Sequence, residues 1–176
     1  DLWDATFPFN SNNDFGITTI ADVDNDGKAE IIVPGDNGST IVRVLNGADG
    51  TIKWTQTVPG IEGNWGATVF DMDNDGFNEV IYLNTDRLIH VWDGRDGSVK
   101  LTYQTGELGR ALQTSLPIFA DVDNDGHAEM VTIGAYTGSP DLLRVYESPN
   151  DDWPPMRAIW NQDNYHVTNI NDDGTV

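Results

Sequence analysis

The sequence contains no cysteine, so it offers neither a disulfide framework nor a thiolate metal site. It is also poor in positive charge: nine Lys and Arg stand against 29 Asp and Glu, and the formal net charge is −20. So few cations cannot assemble a basic face, which excludes nucleic acid and an anionic membrane surface as partners. No apolar run approaches the roughly 18 residues needed to cross a bilayer, and membrane insertion is not expected. The opening residues show neither a charged n-region nor an apolar h-region, so the chain reads as a mature or excised, soluble segment. A nucleophile elbow, an HExxH site and a phosphate-binding glycine loop are all missing. The histidines His90, His127 and His166 stand in unrelated contexts, and catalysis is not expected.

What the sequence does have is one acidic phrase, Asp-x-Asp-x-Asp-Gly-x-x-Glu, written three times. The copies are ADVDNDGKAE (Ala21 to Glu30), FDMDNDGFNE (Phe70 to Glu79) and ADVDNDGHAE (Ala120 to Glu129). Their first carboxylates, Asp22, Asp71 and Asp121, are 49 and 50 residues apart, the signature of a tandem repeat. The repeats span about 9–58, 59–107 and 108–160 of a single domain, and 161–176 opens a degenerate fourth. There Asn169, Asn171 and Asp173 stand in the first three acidic positions.

Short β-branched and aromatic runs flank each phrase. ITTI, ATVF and LPIF precede it, EIIV, EVIYL and EMVTI follow it, and a third run reads IVRVL, LIHVW or LLRVY. Their length and their Gly, Asn, Asp and Pro boundaries predict strands rather than helices. NGADG (Asn46 to Gly50) and DGRDG (Asp93 to Gly97) predict tight hairpins into fourth strands, TIKWTQTV and SVKLTYQT. The expected fold is all-β, with propeller-like blades of four antiparallel strands: about three blades, with partial repeats at both ends. The third repeat departs from the pattern, because Pro149, Pro154 and Pro155 forbid a central strand; a loop and an edge strand around 156–160 are predicted instead. WDATFP (Trp3 to Pro8) aligns with WTQTVP (Trp54 to Pro59), so residues 2–7 read as the fourth strand of a preceding unit.

Alternate oxygens on a tight loop suit a hard cation that takes six to eight oxygen ligands, and three Ca²⁺ sites are predicted. The first would use Asp22, Asp24, Asp26, the Lys28 carbonyl and Glu30. The second would use Asp71, Asp73, Asp75, the Phe77 carbonyl and Glu79. The third would use Asp121, Asp123, Asp125, the His127 carbonyl and Glu129. A fourth, weaker site is predicted near Asn169, Asn171 and Asp173. An EF-hand is excluded, because loop position twelve is Val33, Tyr82 or Thr132 rather than glutamate, and strands flank the loop.

These phrases resemble the calcium-binding FG-GAP (VCBS) repeats of integrin-type β-propellers. Phe15-Gly16 and Trp65-Gly66 stand near that family's Phe-Gly, and the hairpins LNGADGTIKW and VWDGRDGSVK are similar to quinoprotein-type blades. The resemblance implies a propeller fold in which calcium loops brace strand connections. Such propellers close with about six to eight blades, so three imply either part of a longer propeller or an assembly of several chains.

The remaining features are read structurally. Arg43, His90 and Arg144 recur mid-strand and are expected half-exposed, paired with carboxylates of neighbouring repeats. Trp54, Trp65 and Trp92 are expected between blades, whereas Trp153 and Trp160 are the better candidates for a partner surface. Asn37-Gly38-Ser39 is a glycosylation sequon. The expected function is a non-catalytic calcium-binding structural or adhesion module of an extracellular or cell-surface protein. Two alternatives stand beside it. One is a ring or filament subunit self-associating through unpaired terminal strands; the other is a propeller that binds a glycan or protein ligand, or acts as a polysaccharide lyase.

Overall fold

The structure, a computed structural model, describes residues 2–7, 16–36, 39–59, 66–84, 88–104, 116–136, 139–150, 152–159 and 171. Every element among them is a strand, and the strands form three antiparallel sheets. In the first, β1 (Thr19–Ala21), β2 (Glu30–Asp36), β3 (Thr40–Asn46) and β4 (Ile52–Val58) lie side by side in chain order. In the second, β5 (Ala67–Phe70), β6 (Glu79–Leu83), β7 (Leu88–Asp93) and β8 (Val99–Gln104) repeat that order. The third contains β9 (Ile118–Ala120), β10 (Glu129–Tyr136) and β11 (Ser139–Tyr146). The fold is thus all-β and built of open propeller-like blades.

Burial grades outward across a blade. All five residues of β6 are buried, so the run VIYL after Glu79 is apolar without alternation because both faces of the sheet are covered at that strand. All six residues of the outer strand β8 are exposed. The predicted hairpins form as read: the Gly50 and Gly97 amides close onto the Asn46 and Asp93 carbonyls at 2.8 Å, with φ of 70° and 75° at the glycines.

Neighbouring blades meet through contacts that recur one repeat later. Thr19 Oγ1 donates to the Ala67 carbonyl at 2.6 Å, and Thr68 Oγ1 donates to that of Pro117. Trp54 Nε1 donates to the Gly94 carbonyl at 2.8 Å while its ring lies over Gly97, where a Cβ would stand 2.8 Å away. Trp54 also meets Trp92 edge-on at 6.2 Å, and both are buried, as expected of inter-blade residues. Phe70 stacks on Phe119 at 4.5 Å across the next junction.

Several expectations need correcting. Residues 2–7 form no strand, because no described strand lies beside them to satisfy their backbone groups. Trp3 nevertheless makes the inter-blade contact of a fourth strand: its Nε1 donates to the Gly47 carbonyl at 2.9 Å and its ring covers Gly50. The edge strand expected around 156–160 is absent from residues 152–159, where Pro154 and Pro155 lack the amide hydrogens a ladder needs. Arg43 and His90 are buried rather than half-exposed; Arg43 lies 5.1 Å over the Phe7 ring and His90 stacks on Trp92 at 5.4 Å. Trp153 is half-buried, with its ring centroid 5.8 Å from that of Phe119. Phe15, Trp65, Asn37, Trp160, His166, Asn169 and Asp173 lie outside the described residues.

Replacing Trp54 with Ala is expected to cost about 3–5 kcal/mol, since it opens a cavity at a blade junction and orphans the Gly94 carbonyl. Urea denaturation checks this. A loss under about 1 kcal/mol would show that the first two blades do not depend on this ring.

Candidate metal centre

Each acidic phrase is the hairpin loop between the first two strands of its sheet, and the register places its last carboxylate. Glu30, Glu79 and Glu129 are the first residues of their second strands, paired with Ala21, Phe70 and Ala120, the last residues of the first strands. This fixes all three glutamates inside the fold, where each is buried. One oxygen of each is held by the loop it closes: Oε2 accepts from the amides of Val23 at 3.0 Å, Met72 at 2.7 Å and Val122 at 2.8 Å.

The loops are wound by their own aspartates. Asp22 accepts from the Asp26 and Gly27 amides at 3.1 and 2.8 Å, and Asp71 from those of Asp75 and Gly76 at 3.1 and 3.0 Å. Asp121 accepts from Gly126 at 3.2 Å, whereas the Asp125 amide goes to Asp123 instead, at 3.1 Å. The glycines have φ of 84°, 87° and 97°. A second left-handed residue precedes them: Asn25, Asn74 and Asn124 have φ of 56°, 56° and 64°. The invariance of Asn before Asp-Gly in all three copies was the available signal, since Asn tolerates this region better than other side-chain-bearing residues.

The fold converges Asp22, Asp24 and Glu30; Asp71, Asp73 and Glu79; and Asp121, Asp123 and Glu129, with candidate ligand oxygens within 4.8 Å of one another in each set. Asp26, Asp75 and Asp125 each direct Oδ1 to the amide two residues on, at 2.8, 2.9 and 2.8 Å, so they shape the turn as well as adding charge. Asp24 Oδ1 and Asp121 Oδ1 are buried without a hydrogen-bond partner. A buried carboxylate oxygen left unpaired is costly, and a cation is the partner this all-oxygen donor set suits. The residues present therefore fit a bound metal ion.

Two lysines, which the sequence reading did not single out, reach two of the clusters. Lys100 Nζ lies 2.6 Å from Glu79 Oε1 and 2.8 Å from Asp73 Oδ2. Lys53 Nζ bonds Asp24 Oδ2 and lies 3.8 Å from Glu30 Oε1. Burial holds the Glu79 carboxyl above the ordinary glutamate value despite the Lys100 hydrogen bond, and burial likewise raises Glu30 and Glu129. Burial alone would lower the Lys100 ammonium pKa, but its bonds to Asp73 and Glu79 raise it.

A proton competes with a metal ion for these glutamates, and their raised pKa values move that competition upward in pH. Metal affinity is expected to begin falling above pH 4.5, the ordinary glutamate value, as acidification proceeds. Titrations with a divalent cation between pH 7 and 4.5 would show this; affinity constant down to pH 4.5 would contradict it.

The model of the FG-GAP-like repeat matches residues 22–82 and again 71–132, each match running from one acidic loop into the following blade. No curated protein matches the chain in sequence. Among solved structures, the chain is similar to the V. cholerae biofilm matrix protein Bap1, with a TM-score of 0.64 and 20% identity over 84% of this chain and 24% of that one. It is also similar to the exotype rhamnogalacturonan lyase YesX, with a TM-score of 0.58 and 16% identity over 84% of this chain and 34% of that one. A third similarity is to the Bacillus licheniformis rhamnogalacturonan lyase PL11, with a TM-score of 0.51 and 15% identity over 79% and 35%. The chain thus spans about a quarter to a third of the length of these proteins, and at such identities the likeness is one of fold. With both matched segments laid over the acidic hairpins and the blades they open, the chain belongs to the FG-GAP-like repeat family.

Proposed function

We propose that this chain is a non-catalytic module of an extracellular or cell-surface protein, whose blades are rigidified by one calcium ion in each acidic hairpin. The observation that carries this reading is the same oxygen-only cluster at the same hairpin of three successive sheets, each closed by a buried glutamate. The ligand sets are Asp22, Asp24, Asp26 and Glu30; Asp71, Asp73, Asp75 and Glu79; and Asp121, Asp123, Asp125 and Glu129, with the carbonyls of Lys28, Phe77 and His127 completing each loop. Calcium supplies charge neutralisation there, and the chain's own amides and strand register hold the oxygens in place. Magnesium is disfavoured, since it prefers few protein ligands and retained waters.

The extracellular assignment rests on supply. Loops of this kind fill at the millimolar calcium found outside cells and stay empty at cytosolic levels. The fold likeness to a biofilm matrix protein supports the same reading. A second reading, a glycan-binding or lyase site, is supported by the likeness to lyases and by a cleft of about 240 Å³ lined by Asp73, Glu79, Lys100, Asp152 and Trp153.

Calcium at a hundredfold excess over its Kd is expected to stabilise the fold by about 2.7 kcal/mol for each site filled. Calorimetric melting with calcium and then with a chelator measures this, and a midpoint indifferent to calcium would sink the proposal. The calcium-loaded chain should also leave rhamnogalacturonan and other acidic polysaccharides uncleaved. Depolymerisation abolished by Lys100→Ala would favour the second reading instead.

A further inference from the structure

The fourth strands of the first two sheets share an irregularity. Between β3 and β4 the register runs Val44↔Trp54 and then Leu45↔Ile52, so Lys53 is an extra, unpaired residue. Between β7 and β8 it runs Val91↔Leu101 and then Trp92↔Val99, so Lys100 is the extra residue there. Each is a β-bulge, a device that re-aims a side chain out of the regular alternation. Both bulges turn a lysine back over its own blade's acidic hairpin. Lys53 meets Asp24 and Glu30, and Lys100 meets Asp73 and Glu79, with Asp75 at 3.5 Å and Asp93 at 3.9 Å. Asp24, Glu30, Asp73 and Glu79 are carboxylates of the metal clusters themselves.

The third blade is different. The sequence holds three lysines, and Lys28, paired with Asp26, accounts for the remaining one. The third cluster therefore has no lysine, and residues 152–159 form no strand that could carry a bulge. Its Asp121 Oδ1 is buried without a hydrogen-bond partner, as is Asp24 Oδ1 of the first cluster, so what sets the third cluster apart is the missing lysine.

Resting on the calcium reading above, we propose that Lys53 and Lys100 are built-in counter-cations that compete with calcium at the first two sites. The lysine-free third site then fills first. An ammonium group and a divalent ion cannot share the same few oxygens, because their charges repel at contact distance. Calcium must therefore displace the lysine before it binds. At the second site the displaced chain has somewhere to go: Lys100 lines the cleft that Asp152 of the third blade also lines. Without calcium, the two lysines partly neutralise the first two hairpins.

The test is calorimetric titration of the whole chain with calcium. The wild type should show one tight step and two weaker ones, separated by about tenfold or more, which corresponds to 1.4 kcal/mol or more. Asp121→Asn should remove the tight step. Lys53→Met and Lys100→Met should each tighten one weak step by about tenfold and leave the tight step unchanged. Binding constants unmoved by both lysine variants, or a tight step lost in Asp71→Asn instead, overturn the proposal. Absence of any calcium binding overturns the calcium reading beneath it. A second measurement needs no variant: in the wild type, calcium should raise acylation of Lys53 and Lys100, read by mass spectrometry, with the denatured chain as reference. Unchanged labelling of both under saturating calcium counts against the displacement.

Discussion

The molecule depends on a repulsion that its own fold creates. Pairing Glu30 with Ala21, Glu79 with Phe70 and Glu129 with Ala120 draws a carboxylate into the interior beside two or three others. Like charges gathered in a poorly solvated place raise one another's protonation energy, and burial raises all three glutamate pKa values. Such a hairpin needs positive charge. The chain supplies some of it from Lys53 and Lys100, and its oxygen-only donor sets suit a hard divalent ion for the rest.

The hairpins also stand where blades join, so their condition is felt beyond the loop. Asn78, in the second loop, donates from Nδ2 to the Asp22 carbonyl at 2.7 Å, and Asn25 Nδ2 donates to the Gly76 carbonyl at 3.0 Å. The Gly94 amide in turn donates to the Asn78 carbonyl at 3.0 Å, and the Gly94 carbonyl receives Trp54. Loop, hairpin turn and tryptophan are thus one connected network between the first and second sheets. A cation held in the acidic loop would therefore stiffen the junction as well.

Much of this was legible in the sequence because it is local. All the carboxylates of one acidic phrase fall within nine residues, so their spacing could be read directly, as could the strands that flank them and the glycines of the hairpins. The count of the repeat placed Trp54 and Trp92 between blades, and Trp3, which aligns with Trp54, makes the same kind of contact in the structure. The same alignment misled where it implied a strand, because a strand exists only beside a partner. Arg43 and His90 were misjudged because burial depends on the ring set against each, Phe7 and Trp92.

By itself, then, the sequence determined the repeat, the class of fold, the acidic phrases and the excess of negative charge, all of which follow from short-range order along the chain. Tertiary structure decided which oxygens converge and which atoms are left unpaired within the clusters. It decided, too, that Lys53 and Lys100 enter them. That last outcome joins residues 29 and 27 positions apart through a bulge in an otherwise regular pairing. Its cause is geometric: inserting one residue turns a side chain that would have followed the strand's alternation onto the acidic loop, and no local reading of TIKW or SVKL contains that turn.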